Sequence, residues 1–243
     1  MEKQNFKSTV LHYLRLFRIH HWYKNGFVLL GFFVLGDYGN QSLLLKSVLC
    51  TIAFALASSS VYIFNDYCDR ESDRMHPSKK NRPLASGVIS TASAFVFAGI
   101  FLGLSIFISV QITPLAFALI LVYLANNLTY SMWLKNSPII DIFQIGFGFM
   151  LRILTGTIGI GIHISEWMVL TGFMVSLFIG FSKRYAELSN YDDSSEQREV
   201  LKHYSVETLR TFVIIMATAT IMTYALYTLS PRSVAIHGHT HLI

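Results

Sequence analysis

The sequence predicts an all-α membrane protein, a polytopic helix bundle, and three observations carry that prediction. Of the 243 residues, 53% are hydrophobic and 14% charged, which lies outside ordinary globular usage. The apolar residues gather near 25–36, 43–64, 92–112, 114–131, 139–162, 166–182 and 208–229. Apart from the short first one, each is about long enough for a helical span of roughly 20 residues. The runs are apolar on every side, whereas a transmembrane barrel would alternate apolar and polar residues over short segments.

The elements follow in order. Residues 6–23 read as an amphipathic approach helix, with Phe6, Val10, Leu14 and Phe17 on a lipid-facing side and His20 and His21 in the same interfacial stretch. Trp22 and Tyr23 are expected at the headgroup level. No short apolar core with a small-residue cleavage site precedes the first span, so the N-terminus is expected to be retained. Pro77, Pro83, Pro114, Pro138 and Pro231 fall in loops or at helix starts, where a missing N–H costs least. Ala53, Ala55, Ala57 and Ser58 to Ser60 in the second span, and Gly146, Gly148, Gly156, Gly159 and Gly161 in the fifth, predict close helix packing. A kink or a backbone approach to a ligand is the rival reading of those glycines. Cys50 and Cys68 stand 18 positions apart on one span and its end, too far along a straight helix to bridge. His237, His239 and His241 read as a solvated tail. With no internal repeat or dividing linker, residues 1–243 are expected to form one domain.

The positive charges orient the chain. With a cytoplasmic N-terminus, sixteen of the nineteen Lys and Arg residues fall on the inside, Lys46 and Arg232 fall outside, and Arg152 is left within the fifth span. The expected location is a cell membrane, with the polar cluster at the end of the second span facing the cytoplasm.

That cluster, Asn65-Asp66-Tyr67-Cys68-Asp69-Arg70-Glu71-Ser72-Asp73, closes an apolar span where carboxylates are costly. Helical offsets of three and seven residues return within roughly 60° of one azimuth, so Asp66, Asp69 and Asp73 share a face. Such a face suits Mg2+, which takes one or two carboxylates and completes its shell with water and substrate phosphates. The following loop carries Lys79, Lys80 and Arg82, cations placed to hold the remaining phosphate oxygens. Ser182-Lys183-Arg184-Tyr185-Ala186-Glu187 forms a second polar patch on the same side. Ion pairs of Glu187 with Lys183 and Arg184 are its plainer explanation. Tyr130 and Lys135 close the fourth span, and Asp141 opens the fifth, where it also stabilises a helix N-terminus. Arg152, inside a span, requires an anionic partner or a wet cavity. The chain has no CxxC pair, no phosphate-loop glycine motif and no defensible Ser-His-Asp order.

NDYCDRESD at 65–73 matches the NDxxDxxxD motif of the UbiA superfamily of intramembrane prenyltransferases. FRIHHWYKN at 17–25, HPSKKNRPLASG at 76–87, YSMWLKNSPIID at 130–141 and LRILTG at 151–156 resemble that superfamily in order and spacing, so the likeness covers nearly the whole chain. It implies an all-helical bundle of usually nine spans around a central cavity open to the cytoplasm, a cytoplasmic cap over its mouth, and magnesium-bound pyrophosphate held by two aspartate-rich motifs. Two departures stand out. Where the second motif usually carries paired aspartates, this chain reads KRYAEL at 183–188, with Asp192 and Asp193 only further on. The chain also stops at Ile243, after a seventh span, without the last two helices of the family.

The KRYAE turn and the HPSKKNRP loop are similar to the branch that transfers phosphoribose to decaprenyl phosphate. The resemblance therefore implies phosphoribosyl pyrophosphate as donor, a polyprenyl phosphate as acceptor and Mg2+ as cofactor. Asp66, Asp69 and Asp73 would hold the metal and act in catalysis. Asn65, Lys24, Lys80, Arg82, Tyr130, Lys135, Asp141, Lys183, Arg184, Tyr185 and Glu187 would bind substrate. The cation count agrees, because three phosphate-bearing groups must be held at once. Two rivals differ in class: prenyl transfer to an aromatic or lipid acceptor, and a non-enzymatic transporter or membrane subunit. The second leaves the aspartates unexplained. The bilayer is the expected medium, self-association is compatible with the sequence, and no nucleic-acid partner is expected.

Overall fold

The computed structural model describes residues 2–134, 137–189 and 203–237, and all regular structure within them is helical. The helices are α1 (Glu2–Leu16), α2 (Leu30–Leu35), α3 (Gln41–Cys68), α4 (Arg70–Met75), α5 (Thr91–Ile112), α6 (Pro114–Thr129), α7 (Ile140–Thr155), α8 (Glu166–Ser189), α9 (Val206–Leu229) and α10 (Pro231–His237). Local signals set the starts. Asn40, Ser90, Thr113 and Ser205 each accept a hydrogen bond from the backbone N–H three residues on, capping α3, α5, α6 and α9. Pro114 occupies the first turn of α6, where its missing N–H is harmless.

Among the described residues five segments are long and apolar enough to cross a membrane: α3, α5, Pro114–Leu134, Ile140–Ile160 and α9. The chain is thus a multi-pass membrane protein. The sixth expected span corresponds to α8, 24 residues long, whose apolar stretch is bounded by Glu166 and by Lys183, Arg184 and Glu187. The first expected span, 25–36, is not a spanning helix. Residues Ile19–Leu29 wind in 3-10 turns and pass into the six-residue α2, which ends at Gly36 in the left-handed region (φ 71°).

The approach helix also differs from expectation, ending at Leu16 because Arg18 adopts a left-handed conformation (φ 50°). The break turns side chains inward. Phe17, expected toward lipid, packs with Tyr13, Phe97 and Phe101 over Leu16, Ile63 and Leu84, and its carbonyl accepts from Ser59 Oγ at 2.9 Å. Trp22, expected at the headgroups, donates its indole N–H to Ser59 Oγ at 3.0 Å, while Tyr23 remains exposed. Val10 and Leu14 are exposed, as a lipid-facing side requires.

Helix α3 is the central post, packed against α5, α6 and the 3-10 segment, and the helices continue by neighbours from α6 to α7, α8 and α9. Its small residues allow this: Ala53, Ala55, Ala57 and Ser58 to Ser60 are all buried. Ser60 Oγ donates to Ala98 O at 3.0 Å, and Ser105 Oγ donates to Ala53 O at 2.7 Å, so backbone carbonyls of adjacent helices are tied without charge. Two glycines of the fifth span serve packing as well, whereas Gly161 takes a left-handed turn (φ 89°) with open space around it. A Cβ on Gly146 would lie 2.8 Å from Leu177, and one on Gly156 only 1.7 Å from the Val28 carbonyl oxygen. Helix α7 therefore ends at Thr155, short of the expected 162, where the backbone crosses the 3-10 segment.

The alternating helices bring the ends of α3, α6 and α8 and the starts of α5, α7 and α9 to one end of the bundle, where the polar motifs collect. Gly156→Ala is expected to abolish the folded, detergent-extractable protein, because the obstacle is backbone. Gly103→Ala, whose Cβ would meet nothing within 4 Å, should leave the thermal unfolding midpoint unchanged or raise it, since Ala gains up to about 1 kcal/mol over Gly in a helix. Paired unfolding of the two variants checks this.

Candidate active site

The end of α3 is held by arginines from two directions. Arg18 donates from Nη2 to Asp66 Oδ1, and Arg82 Nη1 reaches Asp66 Oδ1 at 3.3 Å and Asp73 Oδ2 at 2.7 Å. Both carboxylates are buried, whereas the arginines keep 20% and 30% of their side-chain surface exposed. The left-handed Arg18 is what lets the approach segment turn back onto Asp66. Arg82 is delivered by a loop that folds on itself: His76 Nδ1 accepts from the backbone N–H groups of Ser78 and Lys79, Leu84 and Ala85 are buried, and Arg74 Nε donates to Ala85 O at 3.1 Å.

Asp66 and Asp73 share a face, as a seven-residue offset predicts. Asp69 sits at the α3–α4 junction, its N–H bonded to Asn65 O at 2.9 Å and its carbonyl accepting from Asp73 N at 2.8 Å, so the helical hydrogen-bond path runs through the break. Among the described residues no three His, Cys, Asp or Glu side chains converge on one centre. The donor set nevertheless fits magnesium. Two buried carboxylates with oxygens on a single guanidinium nitrogen already enclose a cationic position, and one or two carboxylates are what this metal asks of a protein that also binds phosphates.

Above the pair opens a cleft of about 290 Å3 lined by Arg15, Arg18, His20, His21, Asp66, Ser78, Asn81, Arg82 and Pro83. Two guanidinium groups pair with its one lining carboxylate and a third, that of Arg15, also lines it, so the cleft selects anions. Desolvation, helped by Lys24, His20, Arg18 and Lys183, lowers the His21 pKa to about 4, leaving the imidazole neutral at physiological pH. Its Nδ1 is buried without a hydrogen-bond partner. Burial likewise lowers the Lys24 pKa, with Arg152, Lys183 and Arg18 contributing. The KRYAE patch and the approach segment thus lie within electrostatic range at one end of the bundle.

Asn65 meets Ser131, whose hydroxyl donates to the Asn65 amide oxygen and to Asn127 O. Ser131 belongs to a π-helical turn, Tyr130–Leu134, a form that often marks functional sites. Lys80 is exposed on a short 3-10 turn, and Lys135 lies outside the described residues, as do Asp192 and Asp193. The second patch is largely an internal network. Arg184 donates from Nε and Nη2 to Asp141 Oδ2 at 3.2 and 2.9 Å, and from Nη1 to Glu187 Oε2 at 2.9 Å. Tyr204 donates to Asp141 Oδ1 at 3.2 Å. Asp141 is thus the buried counterion of Arg184 as well as a first-turn acid of α7. Tyr185 packs into the apolar cluster around Ile142, Leu177, Phe181 and Leu209. Lys183, two-thirds exposed, stays at the rim, 4.0 Å from Glu187.

Sequence reasoning missed Arg15, Arg18, His20 and His21 as cleft residues by assigning them to an interfacial helix. The signal available was their density: four basic or imidazole side chains within seven residues, directly before a Trp-Tyr pair.

This sequence and fold have counterparts in known proteins. Residues 26–240 match the model of the UbiA prenyltransferase family. The chain belongs to that family, which is one of transferases. It is 35% identical over 219 residues to a decaprenyl-phosphate phosphoribosyltransferase of Corynebacterium glutamicum, covering 88% of this chain and 66% of that protein. It is 33% identical over 231 residues to the enzyme of the same name from Mycolicibacterium smegmatis, covering 92% of this chain and 72% of that protein. The chain therefore spans about two thirds to three quarters of these relatives' length. Its fold is similar to that of a UbiA homologue from Archaeoglobus fulgidus bound to DMAPP and Mg2+, with a TM-score of 0.77, 22% identity, and 94% of this chain and 84% of that one covered.

If the Arg184–Asp141 pair is internal support, Arg184→Leu should cost about 3–5 kcal/mol by leaving a buried carboxylate uncompensated. Arg184→Leu combined with Asp141→Asn should recover most of that loss. Denaturant unfolding of the single and double variants in detergent checks it.

Proposed function

We propose that the cleft over Asp66 and Asp73 transfers 5-phosphoribose from phosphoribosyl pyrophosphate to a polyprenyl phosphate, releasing pyrophosphate. One observation carries the reading: a cleft of about 290 Å3 lined by Arg15, Arg18 and Arg82 together with a buried carboxylate. Family membership and the names of the relatives that cover most of the chain support it.

In this reading Asp66 and Asp73, with Asp69 about one helical turn from each along the chain, would hold Mg2+ where the donor's pyrophosphate binds. The metal supplies charge neutralisation to the departing diphosphate. Arg18 and Arg82, paired with the aspartates without substrate, turn their free N–H groups to phosphate oxygens when the donor binds. Arg15, Lys24, Lys80, Lys135 and Lys183 contribute further positive charge. Asn65, fixed by Ser131, orients the donor, and Tyr130 and Tyr185 flank the same end of the bundle. Asp141 and Glu187 act through Arg184, which they position. An oxygen of the lipid phosphate forms the new bond to the anomeric carbon as the bond to pyrophosphate breaks, the electron pair leaving with the pyrophosphate. A phosphate nucleophile is already anionic near neutral pH, so no strong general base is required. Positioning and electrostatic stabilisation carry the rate. The excess of Lys and Arg in the segments at this end of the bundle supports an orientation toward the cytoplasm of a cell membrane.

Membranes carrying the protein, given labelled phosphoribosyl pyrophosphate and polyprenyl phosphate, should form labelled lipid. The same membranes given a prenyl diphosphate and an aromatic acceptor should form none; the reverse result overturns the reading. Chelation of divalent ions should stop the transfer and added Mg2+ should restore it. Asp66→Asn, isosteric but uncharged, should lower kcat by roughly 10²–10³-fold, with the protein still monodisperse in detergent.

A further inference from the structure

The bundle interior holds a cation that this scheme leaves unused. Arg152 is 5% exposed on α7, and no carboxylate pairs with it among the described residues. Its partners are neutral: Nε donates to Asn25 Oδ1 at 3.1 Å, Nη1 to Gly148 O at 2.9 Å and Nη2 to the Tyr123 hydroxyl at 3.2 Å. The rings of Phe54, Tyr123 and Phe149 stand 5.0, 5.0 and 5.2 Å from its guanidinium carbon.

These contacts spread the charge without cancelling it. A guanidinium has five N–H donors, and three are engaged, leaving one on each Nη. A charged arginine at the centre of a bilayer costs about 2.5–3.5 kcal/mol even on the lower scales, and aromatic faces return part of that. A protein needing only structural glue here could have placed a carboxylate at position 25, where the Asn25 amide already accepts from Arg152. It carries instead a neutral isostere, with a second half-buried cation, Lys24, adjacent in sequence and within electrostatic range of Arg152. The arrangement resembles a counterion site whose counterion comes from elsewhere.

We propose that Arg152, with Lys24 and Asn25, forms an inner anion subsite that takes a phosphate group distinct from the pyrophosphate over the aspartates. Asn25 Nδ2 donates to Ser58 Oγ at 3.3 Å, and Ser58 precedes Asp66 by eight residues of α3, or roughly 12 Å along the helix. One bound phosphate cannot serve both places. Resting on the two-substrate reading above, the subsite receives either the acceptor lipid's phosphate or the donor's 5-phosphate, which share the same chemistry.

Asn25→Asp tests the proposal, because it builds an internal counterion without changing shape. A merely structural Arg152 would gain a partner, raising the unfolding temperature with no effect on ligands. An anion subsite would be blocked. In the purified full chain, thermal stabilisation by farnesyl phosphate, relative to farnesol, and by ribose 5-phosphate is measured for the parent protein and Asn25→Asp. Stabilisation by farnesyl phosphate assigns the site to the lipid, and stabilisation by ribose 5-phosphate assigns it to the sugar. In either case the apparent affinity should fall about tenfold or more in Asn25→Asp, through like-charge repulsion. No stabilisation of the parent by either probe, or equal stabilisation of parent and variant, overturns the proposal. Should Asn25→Asp not accumulate, Lys24→Gln is measured with the same probes, and undiminished binding overturns the proposal equally. None of these readouts requires transfer, so a parent protein that binds phosphate yet prenylates an aromatic acceptor would refute the proposed reaction and leave the subsite standing.

Discussion

A charge buried among apolar helices must be answered by another charge or by a full set of hydrogen bonds, and this constraint organises the polar end of the molecule. Asp66 and Asp73 lie where the low dielectric makes an unpaired carboxylate expensive, and Arg18 and Arg82 answer them. To do so the chain bends twice. The approach helix stops so that Arg18 can turn inward through a left-handed backbone, and the loop after α4 folds back so that Arg82 can bridge both acids. Those two bends are the walls of the cleft.

The same rule is obeyed differently elsewhere in the bundle. Arg184 and Asp141 neutralise each other at nearly complete burial, with Glu187 and Tyr204 filling the remaining valences. Arg152 is answered by neutral groups and rings. The four arginines therefore illustrate three degrees of compensation. In the proposed scheme the degree follows the task of each: opening to a charged ligand, holding helices together, or awaiting a counterion.

Much of this was legible from residue order. Spans near 43–64, 92–112, 114–131 and 208–229 coincide with α3, α5, α6 and α9 to within a few residues, because long apolar runs ended by Ser, Thr, Asn or Pro caps leave the backbone few alternatives. That Asp66 and Asp73 lie close enough for Arg82 to bridge them followed from helical geometry, and the packing use of Ala and Gly from their size. The short run at 25–36 was not legible. Its residues are apolar enough for a span, yet the decisive fact is the backbone crossing at Gly156, over a hundred residues away. Trp22 and Phe17 were misplaced for a related reason. An amphipathic pattern tells which residues avoid water but not whether lipid or a neighbouring helix receives them, and Ser59 decided that by offering both a donor and an acceptor. Asp141 and Arg184 were visible as polar residues at one boundary, but their pairing across 43 positions was not.

The hydrogen bond between Asn25 and Arg152 spans 127 positions of sequence, and it bears on the order of assembly. The approach segment emerges first during synthesis and can dock early on α3, through Ser58 and Ser59. Its seat against α7 does not exist until more than half of the remaining chain has been inserted. Closing a contact of such long range late means that the nascent protein passes through a stage with α3 and its aspartates in place while the wall opposite them is still unanchored. A quality-control machinery that recognises unshielded intramembrane charge would meet Arg152 during that interval, so the speed with which α7 captures the N-terminal segment sets how long the newborn protein is vulnerable.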